Sequence, residues 1–205
     1  MTVTDIKSVT KQKFQVELDG EAAFVLYRGE LSRYSIEKGK ELPQQVYREL
    51  VEEVLTKRAK LRAMHLLQKA DKTKAELIRK LEQSGYPPQA VEAAISYVES
   101  FHYLDDARYA SLYVQSQKEK KGSARLRMEL LRKGISQELV QQALEELEET
   151  ADPRQTIREL LARKRIRSGP MEEKEKQRLY GFFMRKGFAS ADILAVFREA
   201  EQESF

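Results

Sequence analysis

The 205-residue chain contains no cysteine. Disulfides, thiolate zinc sites and cysteine nucleophiles are thereby excluded. Only two histidines occur, His65 and His102. They lie far apart in sequence without a second ligand at useful spacing, so no metal, cofactor or histidine catalysis is expected. Glycine and proline are scarce, at 9 and 5 residues, which points to helices joined by short connections. No apolar run approaches the roughly 20 residues a membrane span needs. The first residues lack the charged and apolar regions of a signal peptide. A soluble, cytoplasmic protein without a membrane partner is the expectation. No Gly-x-Ser-x-Gly, Walker or dinucleotide fingerprint appears.

What is abundant is charge. Asp, Glu, Lys and Arg make up 34% of the chain, against roughly 25% in ordinary globular proteins. The net charge is only +4, but its sign is sorted along the sequence. Residues 118–134 carry seven Lys/Arg against two Glu; 135–152 carry six acids and no Lys or Arg; 153–169 carry six Lys/Arg against one Glu. Such alternation suits either solvated helix faces or a surface that meets a polyanion.

The first 42 residues differ from the rest. Phe14, Val16 and Leu18 alternate with polar residues, Asp19-Gly20 follows, and then Glu21 to Tyr27. An Asp-Gly between two such runs predicts a β-hairpin. A two-residue turn pairs Leu18 with Glu21, Val16 with Ala23 and Phe14 with Val25. A third strand is expected from Asp5 to Thr10, and Leu31 to Ile36 reads as a short strand or a helical turn. A lone hairpin is marginal in water, so this unit must dock on something. From Pro43, which suits a first helical turn, helix dominates. Val46, Leu50 and Val54, then Leu61, Leu66 and Leu67, form the expected apolar stripe.

An internal repeat is the strongest pattern. Gly85, Gly134 and Gly187 align at intervals of 49 and 53 residues. Eight before each stand Leu77, Leu126 and Leu179; four before, Leu81, Leu130 and Phe183. Tyr86, Ile135 and Phe188 follow directly. Six after come Val91, Val140 and Ile193; ten after, Ile95, Leu144 and Phe197. Each copy reads as helix, glycine stop, helix, with the glycine where φ > 0 is wanted. Thr73 and Glu76 form a capping box, and Ser123 and Ser136 are candidate N-caps. An amphipathic helix precedes each pair, over 58–69, 107–117 and 154–166. The expected fold is mainly α: tandem three-helix repeats in an elongated, curved molecule with a small N-terminal β-hairpin extension. The divisions are residues 1–42 for the extension and 43–104, 105–152 and 153–205 for the three repeats.

Tyr103-Leu104-Asp105-Asp106 joins the first repeat to the second. Adjacent carboxylates could suggest acid–base chemistry, but Asp105 as an N-cap and Asp106 in the first turn are explained by the helix dipole. Tyr109 and Tyr113, four apart, read as packing, with base stacking as the alternative. Gly122-Ser123 opens a helix, which explains those residues; its N-terminus could also hold a phosphate. The basic clusters exceed what capping needs. Lys118, Lys120, Lys121, Arg125, Arg127, Arg132 and Lys133 form one; Arg163, Lys164, Arg165 and Arg167 another; Arg185 and Lys186 a third. They are the candidate contacts to nucleic acid or to an acidic protein groove.

Tyr103-Leu104-Asp105-Asp106, Tyr109-Ala110, Tyr113-Val114, Gly122, Leu126, Glu129-Leu130 and Lys133-Gly134-Ile135 resemble the RecX regulatory family. The glycine-anchored copies from Glu76 to Gly85 and from Leu179 to Phe188 are similar to that family's tandem repeats. Gln117 departs from the pattern, which often carries Arg there. The resemblance implies a non-enzymatic protein that binds RecA filaments on single-stranded DNA and slows ATP hydrolysis, strand exchange and filament growth. Double-stranded DNA is a further implied partner, and a monomer is expected. Two other readings stand beside it: a stand-alone nucleic-acid-binding repeat protein of helix-turn-helix type, and an enzyme using Asp105 and Asp106.

Overall fold

Three strands open the chain: β1 (Val3–Ser8), β2 (Lys13–Leu18) and β3 (Glu21–Tyr27), antiparallel in the order β1–β2–β3. The structure is a computed structural model and describes residues 1–164 and 171–202, excluding the side chains at 149 and 150. Asp19 and Gly20 both take positive φ, 49° and 92°, as a two-residue hairpin turn requires. Leu18 pairs with Glu21 as expected, but the register then slips by one residue. Val16 stands opposite Phe24, not Ala23, and Phe14 opposite Leu26, not Val25. The cause is a β-bulge at Ala23. It turns Phe24 and Leu26 inward, where both are fully buried, in place of the smaller Ala23 and Val25.

Helix α1 (Arg28–Arg33) settles the undecided segment after the hairpin as a helical turn. Pro43 then caps α2 (Gln44–Glu49), which runs through a π-helical turn (Leu50–Leu55) into α3 (Thr56–Lys69). The wider turn rotates the apolar face. Leu50, Val51 and Leu55, then Ala59, Ala63 and Leu66, face the core, while Leu61 is 73% exposed and lies off the expected stripe. Helices α4 (Lys74–Glu82) and α5 (Pro88–Ser100) complete the first repeat. The capping box forms: the Thr73 hydroxyl accepts from the Glu76 amide, and the Glu76 carboxylate accepts from the Thr73 amide. The inner face of the sheet and these helices share one core.

The chain divides into two units, Met1–Asp105 and Asp106–Phe205. The second unit holds α6 (Asp106–Gln117), α7 (Ser123–Arg132), α8 (Gln137–Thr150), α9 (Pro153–Arg163), α10 (Glu173–Lys186) and α11 (Ser190–Gln202). Asp105 directly precedes α6, and Asp106 lies in its first turn. Each three-helix repeat of this unit has its own apolar cluster. The aligned leucines, valines, isoleucines and phenylalanines of all three copies are buried.

The three repeat glycines make the same stop. Their φ angles are 80°, 83° and 87°. The amide after each donates to the carbonyl five residues back: Tyr86 to Leu81 at 3.4 Å, Ile135 to Leu130 at 3.2 Å, Phe188 to Phe183 at 3.2 Å. This is the Schellman geometry. Two of the turns also receive a neighbouring backbone. The Val25 amide of β3 donates to the Gly85 carbonyl at 2.9 Å. In the second unit, Gly122 donates to the Lys186 carbonyl at 2.9 Å and Ala124 to the Gly187 carbonyl at 3.3 Å. A Cβ on Gly122 would overlap the Gly187 carbonyl, and one on Gly187 would overlap the Arg125 backbone. The N-cap of α7 is thus Gly122 and not Ser123. Its N-terminal amides face the carbonyls that end α10, so the phosphate seat considered there is taken by protein. Ser136 does cap α8, accepting from the Leu139 amide at 3.4 Å.

Glu129 anchors the segment leading into α7. Its carboxylate accepts from Lys121 Nζ at 2.7 Å, Tyr113 Oη at 2.7 Å and Arg125 Nε at 2.8 Å. Burial opposes the charge, but the hydrogen bonds from Lys121, Tyr113 and Arg125 and the Lys121 charge outweigh it. The carboxyl is held at about 2, against an ordinary 4.5.

Two predictions concern stability. Gly122→Ala or Gly187→Ala is expected to lower it by roughly 2–4 kcal/mol in urea unfolding. Gly29→Ala, where a Cβ meets open space, costs nothing or adds up to about 1 kcal/mol; equal effects at all three sites would contradict the close approach. Glu129 stabilises the fold fully above its ordinary value of 4.5, and that contribution fades as pH falls toward about 2. Glu129→Gln should therefore cost about 1–3 kcal/mol at pH 7 and flatten the acid limb of the stability–pH profile. A mutant whose acid limb matches the parent's would refute this.

Candidate functional site

Because Gly122 and Gly187 meet, the segment between α6 and α7 lies against the end of α10. Three lysines from different elements converge there. Lys186, in the last turn of α10, reaches the Lys120 carbonyl with its ammonium at 2.9 Å. Lys164, the C-cap of α9, places its ammonium 4.2 Å from the centre of the Phe182 ring, and Lys186 sits 5.3 Å from the same ring. The ring face is attractive to cations, so Phe182 holds two like charges close together. Among the described residues, none of Lys120, Lys164 and Lys186 has a carboxylate within 4.0 Å. Burial lowers the Lys186 pKa, and the charges of Lys121, Lys164 and Lys120 push it the same way. Relief would come from an anion placed between them.

The other basic candidates are distributed differently. Lys121 and Arg125 are engaged by Glu129. Arg127 donates to Gln141 Oε1 at 2.6 Å. Lys133 lies over the Tyr109 and Tyr113 rings, at 5.3 and 5.8 Å. Those two rings stack 6.3 Å apart and pack on the core of the second repeat, in line with the packing reading. Arg132 is exposed at the end of α7, and Arg185 is exposed beside Lys186. Arg163 pairs with Glu119 at 3.8 Å. Arg165 and Arg167 lie outside the described residues. Lys118 lines a cavity of about 290 Å³ with Lys121, Glu148 and Asp192. Its charges are mixed and Asp192 is bonded to Arg154, so it lacks the single-sign field of the lysine cluster.

Sequence reasoning did not single out Phe182 or the anchoring role of Glu129. A signal existed for Phe182: Lys186 follows it by one helical turn, so ring and ammonium share a face. Glu129 stands four residues after Arg125, a spacing that forms helical ion pairs. Among the described residues, no group of three or more His, Asp or Glu could hold a metal, and no helix is long and apolar enough to cross a membrane.

Comparison with known proteins follows the repeat. Models of the first, second and third three-helix domains of RecX match residues 59–97, 105–144 and 152–197. The chain is 28% identical over 189 residues to the regulatory protein RecX of Caldanaerobacter subterraneus subsp. tengcongensis, covering 92% of this chain and 93% of that one. It is 34% identical over 151 residues to the regulatory protein RecX of Cronobacter sakazakii, covering 68% and 90%. A crystal structure of a regulatory protein RecX superposes with a TM-score of 0.63 over 97% of this chain and 98% of that one. That of RecX from Lactobacillus salivarius gives 0.59 over 71% and 96%. At 23% and 18% identity the two structures speak for the fold alone. The three matched domains and the identity to the Cronobacter protein settle the family: this chain belongs to the RecX regulatory proteins.

Proposed function

We propose that this chain binds RecA filaments on single-stranded DNA and lowers their ATP hydrolysis, strand exchange and growth, acting without chemistry of its own. The observation that carries this reading is the meeting of Lys120, Lys164 and Lys186 from two repeats. Phosphates neutralised by lysines release condensed counterions, which supplies affinity without sequence preference. A filament presents such phosphates beside protein, and a regulator must prefer one filament state over another to shift it. Contacts from successive repeats would add small preferences together. Family membership supports the regulatory role, since the relatives are named as regulatory proteins.

The test is RecA's DNA-dependent ATP turnover with this protein titrated in. Turnover should fall at substoichiometric protein, and the Lys120→Ala/Lys164→Ala/Lys186→Ala variant should require about tenfold more protein or greater for the same effect. Its binding to filaments should also lose roughly two units of salt slope. Turnover unchanged across the titration rejects the regulator. Tight oligonucleotide binding without any effect on RecA would favour the stand-alone DNA-binding reading instead.

A further inference from the structure

One helix stop in the first unit breaks the glycine rule. At the end of α5 the Tyr103 amide donates to the Val98 carbonyl at 3.0 Å and His102 to the Glu99 carbonyl at 2.9 Å. The pattern repeats that of the three glycine turns, yet the left-handed position is held by His102, at φ 55°. The following residue differs too. Ile135 and Phe188 are buried after their glycines, whereas Tyr103 is 51% exposed. It lies against Phe101, 5.9 Å away and only 19° from parallel. Phe101 in turn meets Tyr97 edge-on at 5.0 Å. Phe101 is 53% exposed and Tyr97 36%. The turn at His102 thus sets Tyr103 against Phe101, which also meets Tyr97 one helical turn earlier, and core packing does not account for three neighbouring rings this exposed.

A charge sits beside them. Lys60 of α3 places its ammonium 5.0 Å from the Tyr97 ring. Among the described residues it has no carboxylate within 4.0 Å. We propose that Tyr97, Phe101 and Tyr103 form a stacking platform for unpaired bases of single-stranded nucleic acid, with Lys60 taking an adjacent phosphate. Every base has a π-face, so open aromatic faces accept any sequence, and a neighbouring cation supplies the backbone contact. The rings alone would also suit an apolar protein groove, but an ammonium held over Tyr97 without a carboxylate within 4.0 Å among the described residues complements a phosphate, which favours the nucleic acid. The inference deepens the reading above and rests on its single-stranded DNA partner. It assigns that partner a second site, separate in kind from the lysine cluster.

Abasic oligonucleotide, which keeps the phosphates and lacks the bases, separates the two sites. Fluorescence anisotropy of the full chain with labelled oligothymidylate and with its abasic counterpart should show a preference for bases of about fivefold to a hundredfold. Phe101→Ala/Tyr103→Ala should bind both at the abasic level with its salt slope unchanged, and Phe101→Trp should keep the preference. Equal binding of both oligonucleotides by the parent chain overturns the platform and leaves the lysine cluster standing. No binding of either overturns both DNA sites. If the double alanine variant keeps the base preference but loses its effect on RecA turnover, the rings meet protein and the proposal is wrong.

Discussion

The second unit is organised by one backbone contact, the seating of Gly122 against Gly187. The amides that open α7 donate to the carbonyls that close α10, so two helix ends that would otherwise need water or side chains satisfy each other. The approach is too close for any Cβ at either position. Its consequence is positional. The loop carrying Lys118, Lys120 and Lys121 is held at the end of α10, where Lys186 projects, and beside the end of α9, where Lys164 projects. In the first unit the turn at Gly85 receives strand β3 instead of a helix N-terminus. The same repeat turn therefore serves two different neighbours, and the N-terminal sheet is joined to the helices by the kind of contact that joins the later repeats.

Electrostatics then sorts the cations. Glu129 engages Lys121 and Arg125 and gains a third hydrogen bond from Tyr113, so these residues hold the loop in place. Lys120, Lys164 and Lys186 lie beyond that network. Their charges reinforce one another, and Phe182 supplies the face against which two of them rest. Basic residues are favoured in the last turn of a helix by its dipole, which accounts for Lys186 as a single residue. It does not account for the convergence of lysines from separate elements.

The repeat was legible because its cause is local: apolar residues one turn apart, a glycine where the chain reverses hand, and an apolar residue after it. Family resemblance was legible for the same reason, since its residues are those of the turns and helix starts. The hairpin's existence was readable from Asp19-Gly20, but its register was not. The bulge at Ala23 exists to bury Phe24 and Leu26 against helices distant in sequence, and alternation alone cannot show that. The π-helical turn likewise rotated the stripe and left Leu61 in solvent. As for the site, the basic residues could be counted along the chain, whereas the ones that meet depend on Gly122 and Gly187 docking across some 65 residues of sequence. Phe101 and Tyr103 stand beside His102 in the sequence as plain aromatics, but their exposure and that of Tyr97 could not be read there, because exposure, unlike periodicity, has no local signature.

The claim at the centre is that lysines from two repeats share one field and that a phosphodiester relieves it. Lysine side-chain NMR of the full chain reads this directly, by following the Lys186 ammonium through its titration with and without single-stranded oligonucleotide. The account predicts a pKa below the ordinary lysine value in the free protein, rising when the oligonucleotide is added. An ordinary value that DNA leaves unmoved would contradict it.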